Sequence, residues 1–441
     1  MEEKRVCMFV WNHFTNDARV LRECTTLSNN GYHVDLICID DPNDKSLLKK
    51  ETWNSHFTVF RLQRYPYLLL FLRRFLQLMR RRKLLLGSVV LLWFVFLYDF
   101  PIFTTITTIA TFLLLIPNVK TVYIRSSLIV RMIIKGYRTS YDIYHANDLN
   151  TLLQGYICAK WRLRKKVLIY DSHEVQTSRT GYDSRFYHWY EQFLIKKIDQ
   201  MIVENNTRAK YNEHLYGFYP AVVHNYPSIL LQRTFEQKNL HQLLELPKEE
   251  KILLYQGGIQ QGRGLEKLIE AYPLFNEGIL LFIGDGKIKQ QLQRSVQQNG
   301  LQKKIYFLPK VPMQQLLAYT KNAYLGFQVL QNTCFNHWSA SSNKLFEYML
   351  CEVPVVACHF PEVKRVVEKH QVGKIVDSHN VEEIANGVNF LLENKDLWQK
   401  YKNNCSRAYE HYTWENEQNK LLEVYRGVTG YKTPTSRNER N

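Results

Sequence analysis

The stretch Ile252-Leu253-Leu254-Tyr255-Gln256-Gly257-Gly258-Ile259-Gln260-Gln261-Gly262-Arg263-Gly264-Leu265 decides how the chain reads. A short apolar run ends in a glycine-rich turn, and Glu266–Ala271 then reads as a helix. Glycines let backbone amides approach an anion, a helix start carries partial positive charge, and Arg263 can neutralise phosphate. G-x-x-x-x-G-K-[ST] is absent, so this is not a P-loop, and it is not the dinucleotide fingerprint. Taken alone, the segment competes with a plain exposed turn that carries an incidental arginine.

The same strand-then-helix alternation extends in both directions. Downstream, Ile279–Ile283, Ile305–Leu308, Ala323–Phe327 and Val353–Ala357 read as strands; upstream, Lys4–Trp11, Tyr32–Ile39, Tyr141–His145, Val167–Tyr170, Gln200–Val203 and Ala221–His224 do. Thr15 or Asn16 can cap a first helix running to about Ser28. Continuous β-branched runs between helices imply parallel sheets covered on both faces. The expected class is α/β, with two doubly wound, Rossmann-like domains facing a cleft. The expected domains are 1–225 and 226–408, followed by a helix over 409–427 and a tail over 428–441. Ligands of such folds sit at the carboxyl ends of strands.

Two further segments carry chemistry. In Ser339-Ala340-Ser341-Ser342-Asn343-Lys344-Leu345-Phe346-Glu347, Ser341 or Ser342 can cap a helix whose free amides at Asn343 and Lys344 form an anion site. Asn343 and Glu347 are one turn apart, so a carboxylate there can accept hydrogen bonds from vicinal hydroxyls such as those of ribose. The bland alternative is a surface helix whose Glu meets solvent. Phe282-Ile283-Gly284-Asp285-Gly286-Lys287 is a strand-to-helix turn of a kind that closes on a nucleotide.

Composition narrows the class. The chain has 441 residues, 58 Lys+Arg against 41 Asp+Glu, and a formal charge of +17; 45% of residues are hydrophobic, which excludes a disordered chain. The eight cysteines, Cys7, Cys24, Cys38, Cys158, Cys334, Cys351, Cys358 and Cys405, form no C-x-x-C pair and read as buried thiols in a reducing cytosol. Met1-Glu2-Glu3-Lys4-Arg5 is too acidic to begin a leader, so the N-terminus is expected in the cytosol. The charge is uneven. No Asp or Glu occurs between Thr52 and Tyr98, where Arg61, Arg64, Arg73, Arg74, Arg80, Arg81, Arg82 and Lys83 lie. From Leu84 to Val119 the only charged residue is Asp99. Basic residues followed by apolar sequence suggest attraction to an anionic leaflet and insertion. Nucleic acid is the weaker reading, because leucines interleave with the arginines. Leu84–Tyr98 and Ile102–Ile116 are two apolar arms broken at Asp99-Phe100-Pro101, each roughly 22 Å long and short of a ~30 Å hydrocarbon core. A hairpin that dips into the bilayer is therefore expected within a basic and apolar insert over 67–119; packing in the core or in a dimer interface is the alternative.

Together these motifs resemble the C-terminal half of the retaining glycosyltransferases of family 4, of the GT-B fold. The N-terminal half is similar as well, through Asn16-Asp17-Ala18-Arg19-Val20-Leu21-Arg22-Glu23, His145-Ala146-Asn147-Asp148, Asp171-Ser172-His173-Glu174 and Tyr412-Thr413-Trp414-Glu415. The resemblance implies sugar transfer from a nucleoside-diphosphate donor with anomeric retention and without a metal. Arg263 then takes the place of the family's diphosphate-binding lysine. The usual second cation falls at Gly258, and Lys344 is the candidate to compensate. Glu347 matches the ribose-binding Glu, and the other Glu of that pattern, which touches the donor sugar, falls at Ser339. His145, Asp148 and His173, with Arg263, are the catalytic candidates; Gly257, Gly258, Arg263, Gly284, Asp285, Ser342, Asn343, Lys344, Leu345 and Glu347 are the donor-binding ones. The insert points to a lipid-linked or glycan acceptor at the cytoplasmic face of the cell membrane, met by a monotopic or peripheral protein in surface-polysaccharide synthesis. No nucleic acid partner is expected. A nucleotide-sugar epimerase of the same fold and a non-catalytic membrane scaffold are the rivals.

Overall fold

The structure is a computed structural model and describes residues 4–15, 17–179, 184–228 and 238–430. Asn16, the linker over 229–237 and the tail from 431 lie outside the described residues. The chain divides into two compact units, 1–171 with 194–199, and 172–193 with 200–441.

The first unit holds β1 (Lys4–Phe9), β2 (Tyr32–Ile39), β3 (Lys50–Asn54), β4 (Phe57–Leu62), β5 (Ile143–Asn147) and β6 (Val167–Ser172), in the order β3-β4-β2-β1-β5-β6. All pairings are parallel except β3 with β4. Val6 lies between Val34 and Ile143 and is fully buried, as a central strand covered on both faces requires. The first helix, Ala18–Asn29, is capped by Asp17, whose carboxylate accepts from the Val20 amide at 3.1 Å. That corrects the expected Thr15 or Asn16 cap. The β3–β4 hairpin was not expected either. It removes Arg61 from the basic surface: the side chain is buried and donates to Glu51 at 2.6 Å and to the Leu48 carbonyl at 3.0 Å.

The insert forms four helices, Tyr67–Arg81, Lys83–Asp99, Pro101–Leu115 and Pro117–Arg138. The second and third make an antiparallel hairpin. Trp93 Nε1 donates to Thr108 Oγ1 at 2.9 Å and Thr104 Oγ1 to the Phe96 carbonyl at 2.9 Å, so register advances on one helix as it retreats on the other. Among the described residues no single helix is long and apolar enough to cross a membrane; the pair Pro101–Leu115 and Pro117–Arg138 passes that test only together, with a bend of 94° between them. The hairpin is not core. Leu84 is 92% exposed, Ile102 76% and Phe112 67%.

The second unit holds the short parallel pair β7 (Gln200–Val203) and β8 (Ala221–Val222). It also holds β9 (Ile252–Gln256), β10 (Ile279–Ile283), β11 (Ile305–Leu308), β12 (Leu325–Gln328), β13 (Val355–Cys358) and β14 (Gly373–Val376). The last six form a parallel sheet ordered β11-β10-β9-β12-β13-β14. The order reverses between β9 and β12, which is the crevice where doubly wound sheets bind ligands. Leu253, Leu254, Leu280, Leu281 and Val355 are fully buried in the two cores that flank this sheet. All eight cysteines are free thiols, and only Cys334 is not buried.

Candidate active site

The carboxyl end of β9 opens onto two interlocked glycine turns. The Gly257 amide donates to the Ile283 carbonyl at 2.9 Å, and Ile259 to the Asp285 carbonyl at 3.0 Å. A Cβ on Gly284 would lie 1.9 Å from the Gly257 carbonyl oxygen, so only glycine lets the turns after β9 and β10 meet. Gly264, at φ 75°, would bring a Cβ to 2.1 Å from the Val329 carbonyl, and it starts the helix Leu265–Ala271.

Lys344 reaches this crevice from the helix Asn343–Leu350. Its Cε would be 2.4 Å from a Cβ on Gly257, so the missing side chain is what gives the lysine its path. The ammonium lies 5.0 Å from the Tyr255 ring centroid. Burial, then the nearby Arg263 guanidinium, push its pKa down to about 7, against the opposing pull of Glu347. Arg263 is half-buried and has no ion-pair partner among the described residues. Two like charges are thus held together at a helix start, which stores electrostatic cost that an anion would relieve.

Glu347 is aimed by a relay. Gln256 Nε2 donates to Glu347 Oε2 at 2.6 Å, and Gln256 Oε1 accepts from Thr320 Oγ1 at 2.6 Å. Ser342 sits at the N-cap, but its hydroxyl donates to Gln328 Oε1 at 3.2 Å and leaves the helix start uncapped by a side chain. The expected capping by Ser341 or Ser342 is therefore corrected: no side chain caps this helix start. Gln328 is buried, and its Nε2 has no hydrogen-bond partner among the described residues. Leu345 is buried in the core and its amide bonds the Ser342 carbonyl, so it faces no ligand. Asp285 is exposed and spends its carboxylate on Lys289 at 2.8 Å and the Lys310 amide at 2.9 Å; it locks the turn. Gly258 is exposed, and a Cβ there would meet nothing closer than Gln260 Cγ at 3.8 Å.

Several side chains near the site were not anticipated. Gln256, at the end of a buried strand, was legible as an out-of-place polar residue. His337 packs on Gly262, where a Cβ would lie 2.9 Å from its Cε1, and it bonds Thr333 Oγ1 at 2.9 Å; burial and then Arg263 lower its pKa. Ser339 is buried; it accepts from Arg208 Nε at 3.2 Å on its hydroxyl and from Asn205 Nδ2 at 2.8 Å on its carbonyl. Arg208 also donates to the His173 carbonyl and to Glu204 Oε2, 2.5 Å away, and Asn336 pairs with both the amide and the carbonyl of Val175. His173 belongs to this unit and is half-buried.

His145 and Asp148 belong to the first unit. His145 is fully buried, 3.8 Å from Glu23 and 3.7 Å from Asp171. Arg19 bonds Asp171 at 2.9 and 3.0 Å and Glu23 at 3.0 Å, so the cluster already has a cation where a metal would otherwise be needed. His145 thus sits inside the unit, on the buried strand β5. Asp148 follows β5 with φ 61° and ψ 165°, a conformation that costs of order 1–3 kcal/mol for a non-glycine residue. Strain of that kind concentrates at ligand-contacting turns.

Residues 236–408 match the family described as glycosyl transferases group 1. The chain is 25% identical over 332 residues to an uncharacterized glycosyltransferase of Methanocaldococcus jannaschii, covering 70% of this chain and 81% of the relative. It is 24% identical over 179 residues to the N-acetylgalactosamine-N,N'-diacetylbacillosaminyl-diphospho-undecaprenol 4-alpha-N-acetylgalactosaminyltransferase of Campylobacter jejuni, covering 40% of this chain and 47% of that protein. HepE from Anabaena, solved in complex with UDP, has the same fold, with TM-score 0.66 and 15% identity over 96% of this chain and all of that one. The fold is that of GT-B glycosyltransferases, with two parallel-sheet α/β domains.

Proposed function

We propose that this chain, which carries a glycosyl transferases group 1 domain, moves a sugar from a nucleoside-diphosphate donor to a lipid-linked or glycan acceptor with anomeric retention. The observation that carries this is the placing of Arg263 near a Lys344 whose pKa is pushed down to about 7, at a helix start that no side chain caps. Negative charge grows on a leaving diphosphate as the sugar becomes oxocarbenium-like, and a fixed positive field stabilises it. Arg263, Lys344 and the Asn343 helix start supply that field, so the reading needs no divalent ion. Lys344 over Gly257 takes the part of the cation missing at Gly258. Glu347, oriented by Gln256, accepts from the ribose hydroxyls. The acceptor's proton can pass to the leaving phosphate. Asp148, His173 and His145 are the acceptor-side candidates.

The insert supports the reading of acceptor and location. Exposed apolar helices beside Arg73, Arg74, Arg80, Arg81 and Arg82 suit an anionic cytoplasmic leaflet, held peripherally or monotopically. The Campylobacter relative's name joins its sugar chemistry to a diphospho-undecaprenol carrier, which supports a lipid-linked acceptor in surface-polysaccharide synthesis. A non-catalytic membrane scaffold is the second reading, favoured by Ser339, whose hydroxyl is held by Arg208 and carries no carboxylate.

The test is a panel of UDP- and GDP-sugars incubated with purified protein and membrane extract. Labelled lipid product with the donor's anomeric configuration supports transfer. Donor binding with no turnover across the panel would favour the scaffold, and interconversion of free nucleotide sugars would favour the epimerase. Extraction adds the membrane arm: detergent should release the protein and high salt alone should not.

A further inference from the structure

A cleft of about 340 Å³ opens in the insert between the helix Tyr67–Arg81 and the bend that joins Pro101–Leu115 to Pro117–Arg138. Its walls are leucines, among them Leu72, Leu76 and Leu114, and it also carries Arg73, Arg80 and Lys120. Arg73 and Arg80 are seven residues apart, with Leu76 three residues after the first and four before the second, so one helix face presents both charge and apolar surface. Lys120 lies in the first turn of Pro117–Arg138, where no side chain caps the helix and the amides add partial positive charge. None of the three cations has an ion-pair partner among the described residues. Between Thr52 and Tyr141 the only acidic residue is Asp99. The cleft therefore selects something both anionic and greasy. Its volume is within the range of single-ligand sites, roughly 300–1,000 Å³, rather than that of a flat membrane-facing surface.

We propose that this cleft seats the diphosphate headgroup and first chain segment of one long-chain lipid diphosphate, the carrier end of the acceptor. Three cations around one leucine-walled cleft match the multiple charge of a diphosphate better than the single charge of a common phospholipid headgroup. The inference rests on the lipid-linked acceptor of the reading above and assigns it a site outside the sugar-transfer crevice.

The test measures farnesyl diphosphate binding to the full chain in nonionic detergent. It compares the parent, a cleft variant (Arg73→Gln, Arg80→Gln, Lys120→Gln) and a charge-matched control outside the cleft (Arg74→Gln, Arg81→Gln, Arg82→Gln). The parent should bind saturably at about one per chain, and farnesol should not compete. The cleft variant should bind at least tenfold more weakly and the control within twofold of the parent. Equal losses in both variants, no loss in either, or displacement of the probe by phosphatidylglycerol in mixed micelles would overturn the site. UDP binding is read on the same samples. Parent protein that binds UDP but not the probe loses only the lipid site; protein that binds the probe but not UDP keeps the site and loses the transferase reading.

Discussion

Each unit gathers charged side chains near strand ends, and the two gatherings differ in balance. In the first unit Arg19 is buried between two buried carboxylates, 2.9 Å from Asp171 and 3.0 Å from Glu23, with His145 3.7 to 3.8 Å from both. In the second, Arg263 and Lys344 raise each other's cost, and Glu347 offsets only part of it. A cluster of opposite charges holds a fold together, whereas two like charges wait for a counter-charge. The difference teaches where to look for a ligand: at the charge that the protein itself leaves uncompensated.

The sharpest break of this comparison is to unbalance the first cluster. Asp171→Ala leaves Arg19 buried with a lost partner and should cost about 3–5 kcal/mol of stability, read by denaturant unfolding, while UDP affinity of the folded fraction holds. Next, Arg263→Ala should do the reverse: unfolding stays within about 1 kcal/mol, and UDP affinity and transfer fall roughly 10- to 150-fold, a charge-assisted contact being worth about 1.5–3 kcal/mol. Equal stability losses in the two variants would erase the distinction. Glu347→Gln should weaken UDP by roughly tenfold at the ribose, and should weaken free pyrophosphate little, as competition assays can tell.

Two smaller effects sharpen the account. The free Lys344 is already losing its proton at about pH 7, and a bound diphosphate favours the charged form. Its pKa thus rises on binding, and UDP affinity should fall as pH rises above 7, by at most roughly tenfold per unit. Lys344→Met should flatten that slope. The smallest effect is a gain. Gly258→Arg meets no close neighbour and restores a second cation, so UDP affinity should rise a few-fold.

Much of this architecture was legible. Tyr32–Ile39 and Ile279–Ile283 have the limits that their apolar runs imply, and the break at Phe100 follows from Pro101. What escaped has physical causes. β3 is a polar edge strand, and Arg61 on β4 has the local sequence of a surface charge because its partner Glu51 lies across the hairpin. β14 is four residues long and carries a lysine. At the site, Arg263, Lys344 and Glu347 were readable from local motifs. Gln256, Thr320 and His337 act through contacts 64 to 91 residues away or through packing on a glycine, which no local pattern encodes. Leu345 and Asp285 share the motifs, but their side chains serve the core and the turn.

The most direct test is calorimetry of UDP binding at pH 8 in two buffers that differ in ionisation enthalpy. The account predicts net proton uptake approaching one per site in the parent, because Lys344 is mostly neutral when free and charged when bound, and close to none in Lys344→Met. Binding by the parent with no proton uptake, or with the same uptake in Lys344→Met, would contradict it.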